Sequence, residues 1–243
     1  MAVKNIFKKT VGEIVSEDYR AAHIFDNHRI DFCCKGKRSL AEVCEEKNLD
    51  VSKILEEIEF VQQGKPSVTT DFKNWQLDVL ADYIEKTHHS YVEEKIPILK
   101  KYLERLCQVH GAKHPELLQI SQEFNHLSGE LASHLKKEEF LLFPHIRKMV
   151  KAMNRNESLD SPNFGTVQNR TQMMMNEHMV EGDRLSKISK LADNYIPPAD
   201  ACNTYRVTYA LLQEFEEDLH LHVHLENNIL FPRSIEMEKD LLA

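Results

Sequence analysis

Leu, Val and Ile recur at helical spacing along most of the chain, and no segment alternates apolar with polar residues as a half-buried strand would. The chain is therefore expected to be all-α. Residues 10–64 read as short helices: Thr10 and Ser16 are candidate caps, and 39–46 and 50–63 carry periodic apolar positions. A break at 64–70 (GKPSVTT) interrupts the pattern. Four longer helical stretches follow, at about 71–110, 115–149, 163–194 and 198–237. Gly111 to His114 ends the first, Pro115 suits a first helical turn, and Tyr195 to Pro198 separates the third from the fourth. Pro144 and Pro232 are expected to kink or end the second and fourth stretches, and Pro97 to kink the first. Residues 150–162 are polar and expected to form an exposed connection. Short connections make neighbours antiparallel, which gives an up-down four-helix bundle preceded by a small helical N-terminal domain. The expected units are residues 1–64, a linker at 65–70, and the bundle at 71–243.

Composition narrows the function classes. With 243 residues, 42% apolar and 29% charged, the chain can bury a substantial core. Its net charge of −8, with bases interspersed among acids, argues against nucleic acid as a partner. No apolar run reaches the roughly 18 residues of a membrane span, and the first residues lack a signal-peptide core, so a cytoplasmic protein is expected. The five cysteines are odd in number and scattered, unlike a secreted disulfide framework.

The candidate chemistry lies in a repeat. His134 to Pro144 (HLKKEEFLLFP) is matched in register by His222 to Pro232 (HVHLENNILFP). In each copy a Glu follows the His by four residues, so His134 and Glu138, like His222 and Glu226, share one helix face. Nitrogen and carboxylate oxygen together suit a first-row metal such as iron, manganese or zinc. His89 with Glu93 and His126 with Glu130 have the same spacing, but the downstream Phe-Pro belongs to the two repeated pairs. Upstream the match continues: His89 lies 45 residues before His134, with His88 competing for that place, and His178 lies 44 before His222. Four histidines and two glutamates would then converge on a twofold centre. Two metal ions fit this set better than one, because two carboxylates can bridge a pair while two histidines cap each ion.

This ligand order resembles the hemerythrin-like four-helix bundle, and the paired clamps with ENNILFPR (226–233) resemble the repair-of-iron-centres family of di-iron proteins. The resemblance favours His89 over His88, since the family's His stands eight residues before a Pro, here Pro97. It implies metal ligation by His89, His134, Glu138, His178, His222 and Glu226, and two iron ions per chain, carboxylate-bridged and optionally oxo-bridged. It also implies that Glu130 and Glu177 flank the centre as a proton relay or iron path. Cys33 and Cys34 correspond to the family's adjacent cysteines and would serve redox exchange or metal transfer, although Lys35 stands where glycine is usual. Where oxygen-carrying hemerythrins have a second third-helix histidine this chain has Gly182, so an open coordination position is expected there. The function implied is repair of iron-sulfur clusters damaged by nitrosative or oxidative stress, by iron donation. Reduction of nitric oxide to nitrous oxide, and sensing of dioxygen or nitric oxide without turnover, are the alternatives. Expected partners are damaged iron-sulfur proteins or an assembly scaffold, with nitric oxide or dioxygen as small ligands; no nucleic acid or membrane is expected, and a homodimer is an allowed assembly.

Overall fold

The computed structural model describes residues 6–63, 71–159 and 162–242. The expected linker at 65–70 lies outside them. Near the N-terminus, α1 (Val11–Glu17) starts from Thr10, whose side chain accepts from the Glu13 amide while the Glu13 carboxylate accepts from the Thr10 amide. After α2 (Arg20–Asn27), α3 (Leu40–Lys47) starts from the same reciprocal box, made by Ser39 and Glu42, and α4 is Val51–Gln63. Thr10 and Ser39 face each other in a single antiparallel bridge, so the two caps hold the ends of α1 and α3 together. Ser16 is not a cap; it lies inside α1 and its hydroxyl donates to the Gly12 carbonyl. Val11, Phe25, Phe32, Leu40 and Ile58 form a core that is closed by Val223 from the bundle.

The bundle is antiparallel, and its first and third helices each lie beside the second and the fourth. The first helix comprises α5 (Leu77–Tyr83), a π-helical turn π1 (Ile84–His89) and α6 (Ser90–His110). In the second, α7 (Glu116–Lys137) passes through π2 (Glu138–Leu142) into α8 (Phe143–Arg155). The third is α9 (Val167–Leu191), capped by Thr166. The fourth joins α10 (Asn203–Leu225), π3 (Glu226–Leu230) and α11 (Phe231–Leu242).

Pro144 and Pro232 do not end their helices. A proline ring collides with the carbonyl four residues back, and here the helix widens just before it: Phe143 and Phe231 donate to the Glu138 and Glu226 carbonyls, five residues back. The second helix also runs to Arg155, where Asn156 in the left-handed region (φ 50°) caps it, so the polar connection is shorter than 150–162. Two apolar clusters fill the bundle. One contains Leu99, Phe124, Leu131 and Phe215, the other Leu80, Phe143, Ile146 and Phe231. The polar centre is buried where the helices pass from the first cluster to the second.

Candidate metal centre

Each clamp Glu opens a π turn, and His89 closes another. Widening changes the phase of side chains by a fraction of a turn, as π turns at functional sites commonly do. His89, His134, Glu138, His178, His222 and Glu226 all meet in the interior, each at most 1% exposed. Their donor atoms form two groups, His89 with His222 and His134 with His178, each including both Glu138 and Glu226. The two carboxylates are therefore common to both.

Short contacts define the geometry. His134 Nε2 lies 3.1 Å from Glu138 Oε1, His222 Nε2 3.1 Å from Glu226 Oε1, and His178 Nε2 3.2 Å from Glu226 Oε2. His89 Nε2 is 3.5 Å from Glu138 Oε2, and the Nε2 atoms of His134 and His178 are 2.9 Å apart. Among the described residues, His89 Nε2, both Glu138 oxygens and Glu226 Oε2 are buried without a well-directed hydrogen bond, close contacts notwithstanding. Orphaned donors of this kind, crowded together at a place too costly for bare charge, fit cations held between them. Four imidazoles and two carboxylates are a donor set suited to iron, manganese or zinc.

The outer nitrogens explain why Nε2 faces inward. His89 Nδ1 is 2.9 Å from Glu139 Oε1, His134 Nδ1 2.9 Å from Glu177 Oε2, and His178 Nδ1 2.9 Å from Asn227 Oδ1. His222 Nδ1 finds no such partner among the described residues. Instead the His88 ring stacks on His222 with centroids 5.7 Å apart, and His88 Nδ1 lies 2.8 Å from Asp218. Glu139 and Asn227 escaped the sequence reading, yet the repeat held the signal: each directly follows a clamp Glu, and each orients a histidine from another helix.

Electrostatics follow the packing. Burial alone would lower the His134 pKa, but Glu138, Glu177 and Glu181 outweigh it and hold the ring well above its ordinary value. Burial likewise opposes ionisation of Glu226, and His222 and His178 overcome it, leaving the carboxyl well below the usual range. The bond from His134, with help from Lys137 at 2.6 Å, draws the partly exposed Glu177 down to about 2. Glu181 is raised by burial, and its oxygen stands 3.9 Å from His134 Nδ1. Glu130 is not brought to the centre. It sits at the surface in a two-point pair with Arg184, 2.7 Å and 3.0 Å long.

Cys33 and Cys34 lie against the same centre. Cys34 Sγ donates to the His178 carbonyl at 3.3 Å, and Asn227 Nδ2 donates to the Cys33 carbonyl at 3.2 Å. A Cβ on Gly182 would meet Cys34 Sγ at 3.2 Å. Gly182 therefore faces a thiol from the N-terminal domain. His224 is buried on Phe32 and bonded to Asn228, and of the three consecutive methionines Met173 to Met175, Met174 lies in the core and Met173 is exposed.

A four-helix bundle with paired histidine and carboxylate groups at its centre defines a hemerythrin-like cation-binding protein. Accordingly, the hemerythrin HHE cation-binding domain family matches residues 80–234, and the ScdA N-terminal domain, a domain of unknown function, matches 7–62. The chain belongs to the family of iron-sulfur cluster repair proteins. It is 30% identical to the iron-sulfur cluster repair protein ScdA of Staphylococcus epidermidis over 224 residues, covering 92% of this chain and 96% of that protein. Against the iron-sulfur cluster repair protein YtfE of Yersinia pestis it is 32% identical over 230 residues, 95% of this chain and 98% of the relative. No helix of the described residues is long and apolar enough to cross a membrane.

Proposed function

We propose that this chain supports repair of iron-sulfur clusters damaged by nitrosative or oxidative stress, holding two iron ions in its bundle and releasing iron to the damaged protein or its assembly scaffold. The observation that carries this reading is the pair of ligand groups sharing Glu138 and Glu226, which offers two adjacent cation places rather than one. The relatives' names supply the cluster-repair context. His89, His134, His178 and His222 would hold the iron with the two glutamates. The iron is cargo here, and the protein's work is to hold it and let it go.

Glu177 is the residue fitted to release. It is one-third exposed, ionised, and bonded to the back of His134, so it can draw that ring outward while Lys137 balances its charge. Glu130, held by Arg184, guards the surface beyond rather than the centre. Cys33 and Cys34 would assist by redox exchange or metal transfer, since their loop is bonded to His178 directly and through Asn227. Free thiols at all five cysteines suit the reducing cytoplasm, where we place the protein.

Metal analysis with Mössbauer spectroscopy should find two coupled irons per chain; one zinc, or no metal, would overturn the reading at its base. With labelled iron loaded, transfer to an apo cluster protein should outpace the same amount of free iron. Glu177→Gln should slow that transfer about tenfold while retaining both irons, and an unchanged rate would remove Glu177 from the path.

A further inference from the structure

The loop between α2 and α3 places three metal-binding side chains together outside the bundle centre. Cys33 Sγ and Cys34 Sγ are 3.7 Å apart, Cys33 Sγ is 3.4 Å from Asp31 Oδ1, and one ligand atom from each of the three residues lies within 4.8 Å of the others. Two thiolates bound at about 2.3 Å to one tetrahedral ion stand about 3.8 Å apart, and a thiolate and a carboxylate oxygen about 3.5 Å apart. The loop already holds both spacings. It is fixed there, because Asp31 Oδ1 accepts from the amides of Cys33 (3.2 Å), Cys34 (2.8 Å) and Lys35 (3.2 Å). The carbonyls of Phe32 and Cys33 are tied to Asn228 and Asn227 on π3. Asp31, Cys33 and Cys34 all line a groove of about 870 Å³ between the N-terminal helices and the third and fourth bundle helices, so a fourth ligand can arrive from solvent.

We propose that Asp31, Cys33 and Cys34 form a second metal site, for one tetrahedral, thiophilic divalent ion of the zinc and ferrous-iron class, with its fourth position open to the groove. Binding releases the two thiol protons, and two thiolates with one carboxylate leave the loaded site with a single negative charge. Adjacent cysteines are poor partners for a disulfide, whose geometry is exacting. The same adjacency suits chelation, where the sulfurs need to be a tetrahedral edge apart rather than bonded. The donor sets also separate the two sites by chemistry: nitrogen and oxygen in the bundle, sulfur at the loop. This site stands on its own three residues, whatever the buried centre releases.

Cobalt(II) reports the difference. Titrated into the reduced, full-length protein, it should produce one equivalent of intense thiolate-to-cobalt charge-transfer absorption, which the nitrogen and oxygen ligands of the bundle cannot generate. Cys33→Ser and Cys34→Ser should each abolish that band. Cys202→Ser, at the exposed thiol beside His110, should leave it unchanged. Asp31→Asn, which keeps an oxygen for the loop amides, should weaken cobalt binding at least tenfold. In the unmodified chain, one equivalent of zinc should protect Cys33 and Cys34 from iodoacetamide and leave Cys202 reactive, a readout that needs no variant to fold. Absence of the band, its survival in the Cys33 and Cys34 variants, undiminished affinity in Asp31→Asn, or no protection by zinc would each overturn the assignment.

Discussion

His224 shows how one buried side chain ties the two parts of the molecule to pH. Its ring lies 5.7 Å from Phe32 of the N-terminal core, Nδ1 accepts from Asn228 at 3.1 Å, and burial holds its pKa down at about 3. An unfolded histidine titrates near 6.5, so below that pH the unfolded chain takes up a proton that the folded ring refuses. Stability is therefore lost as pH falls from about 6.5 towards about 3, and at pH 5.5 the loss from this residue is on the order of 1 kcal/mol. Urea unfolding of wild type and His224→Gln between pH 7.5 and 5.5 checks this. The variant should lose about one proton's worth of slope, and identical slopes would show that His224 is accessible to protons when folded. The sequence could place His224 only on a different helix face from His222. That face became interior because a second domain covers it, which no periodicity within one helix can show.

At the scale of elements, bundle helices were legible from their periodicity and breaks, whereas their internal geometry was not. Proline in a helix signals a lost amide bond and a ring clash, and the sequence leaves open whether the chain kinks, stops or widens. Here the repeated Glu, π turn, Phe and Pro answer it twice in the same way. The N-terminal caps were partly legible. Thr10 and Ser39 carry their partners Glu13 and Glu42 three residues on, while Ser16 lacks a following Glu or Gln at that spacing and falls inside its helix. Because the two real caps also bridge each other at the base of the cysteine loop, Ser39→Ala should cost about 1 kcal/mol of stability in urea unfolding. A change below about 0.3 kcal/mol would mean that the bridge to Thr10 survives without the hydroxyl.

Across the whole molecule, the decisive contact is the seating of the N-terminal domain on the fourth helix at π3. Gly12 of α1 lies so near this turn that a Cβ there would stand 2.6 Å from Asn228 Oδ1 and 3.0 Å from the Gly36 carbonyl. Gly36 is closer still to its own loop, with a Cβ 2.3 Å from the Phe32 carbonyl. Two glycines thus permit the approach that carries Cys34 to His178 and Gly182. The Asn228 side chain could rotate away from a methyl group at residue 12, but it would then release the Phe32 carbonyl it holds at 3.2 Å. The Gly36 carbonyl, which accepts from the Gly12 amide at 2.9 Å, is backbone and has less room to yield. Gly12→Ala should therefore cost about 1 to 3 kcal/mol through overpacking. It should also loosen the cysteine loop from the bundle, so Cys34 should alkylate several-fold faster than in wild type, while Cys202, remote from this contact, serves as the internal standard. A destabilised protein with unchanged Cys34 reactivity would mean that the strain is absorbed within the N-terminal core, and that Cys34 is held on the third helix by a seating independent of Gly12.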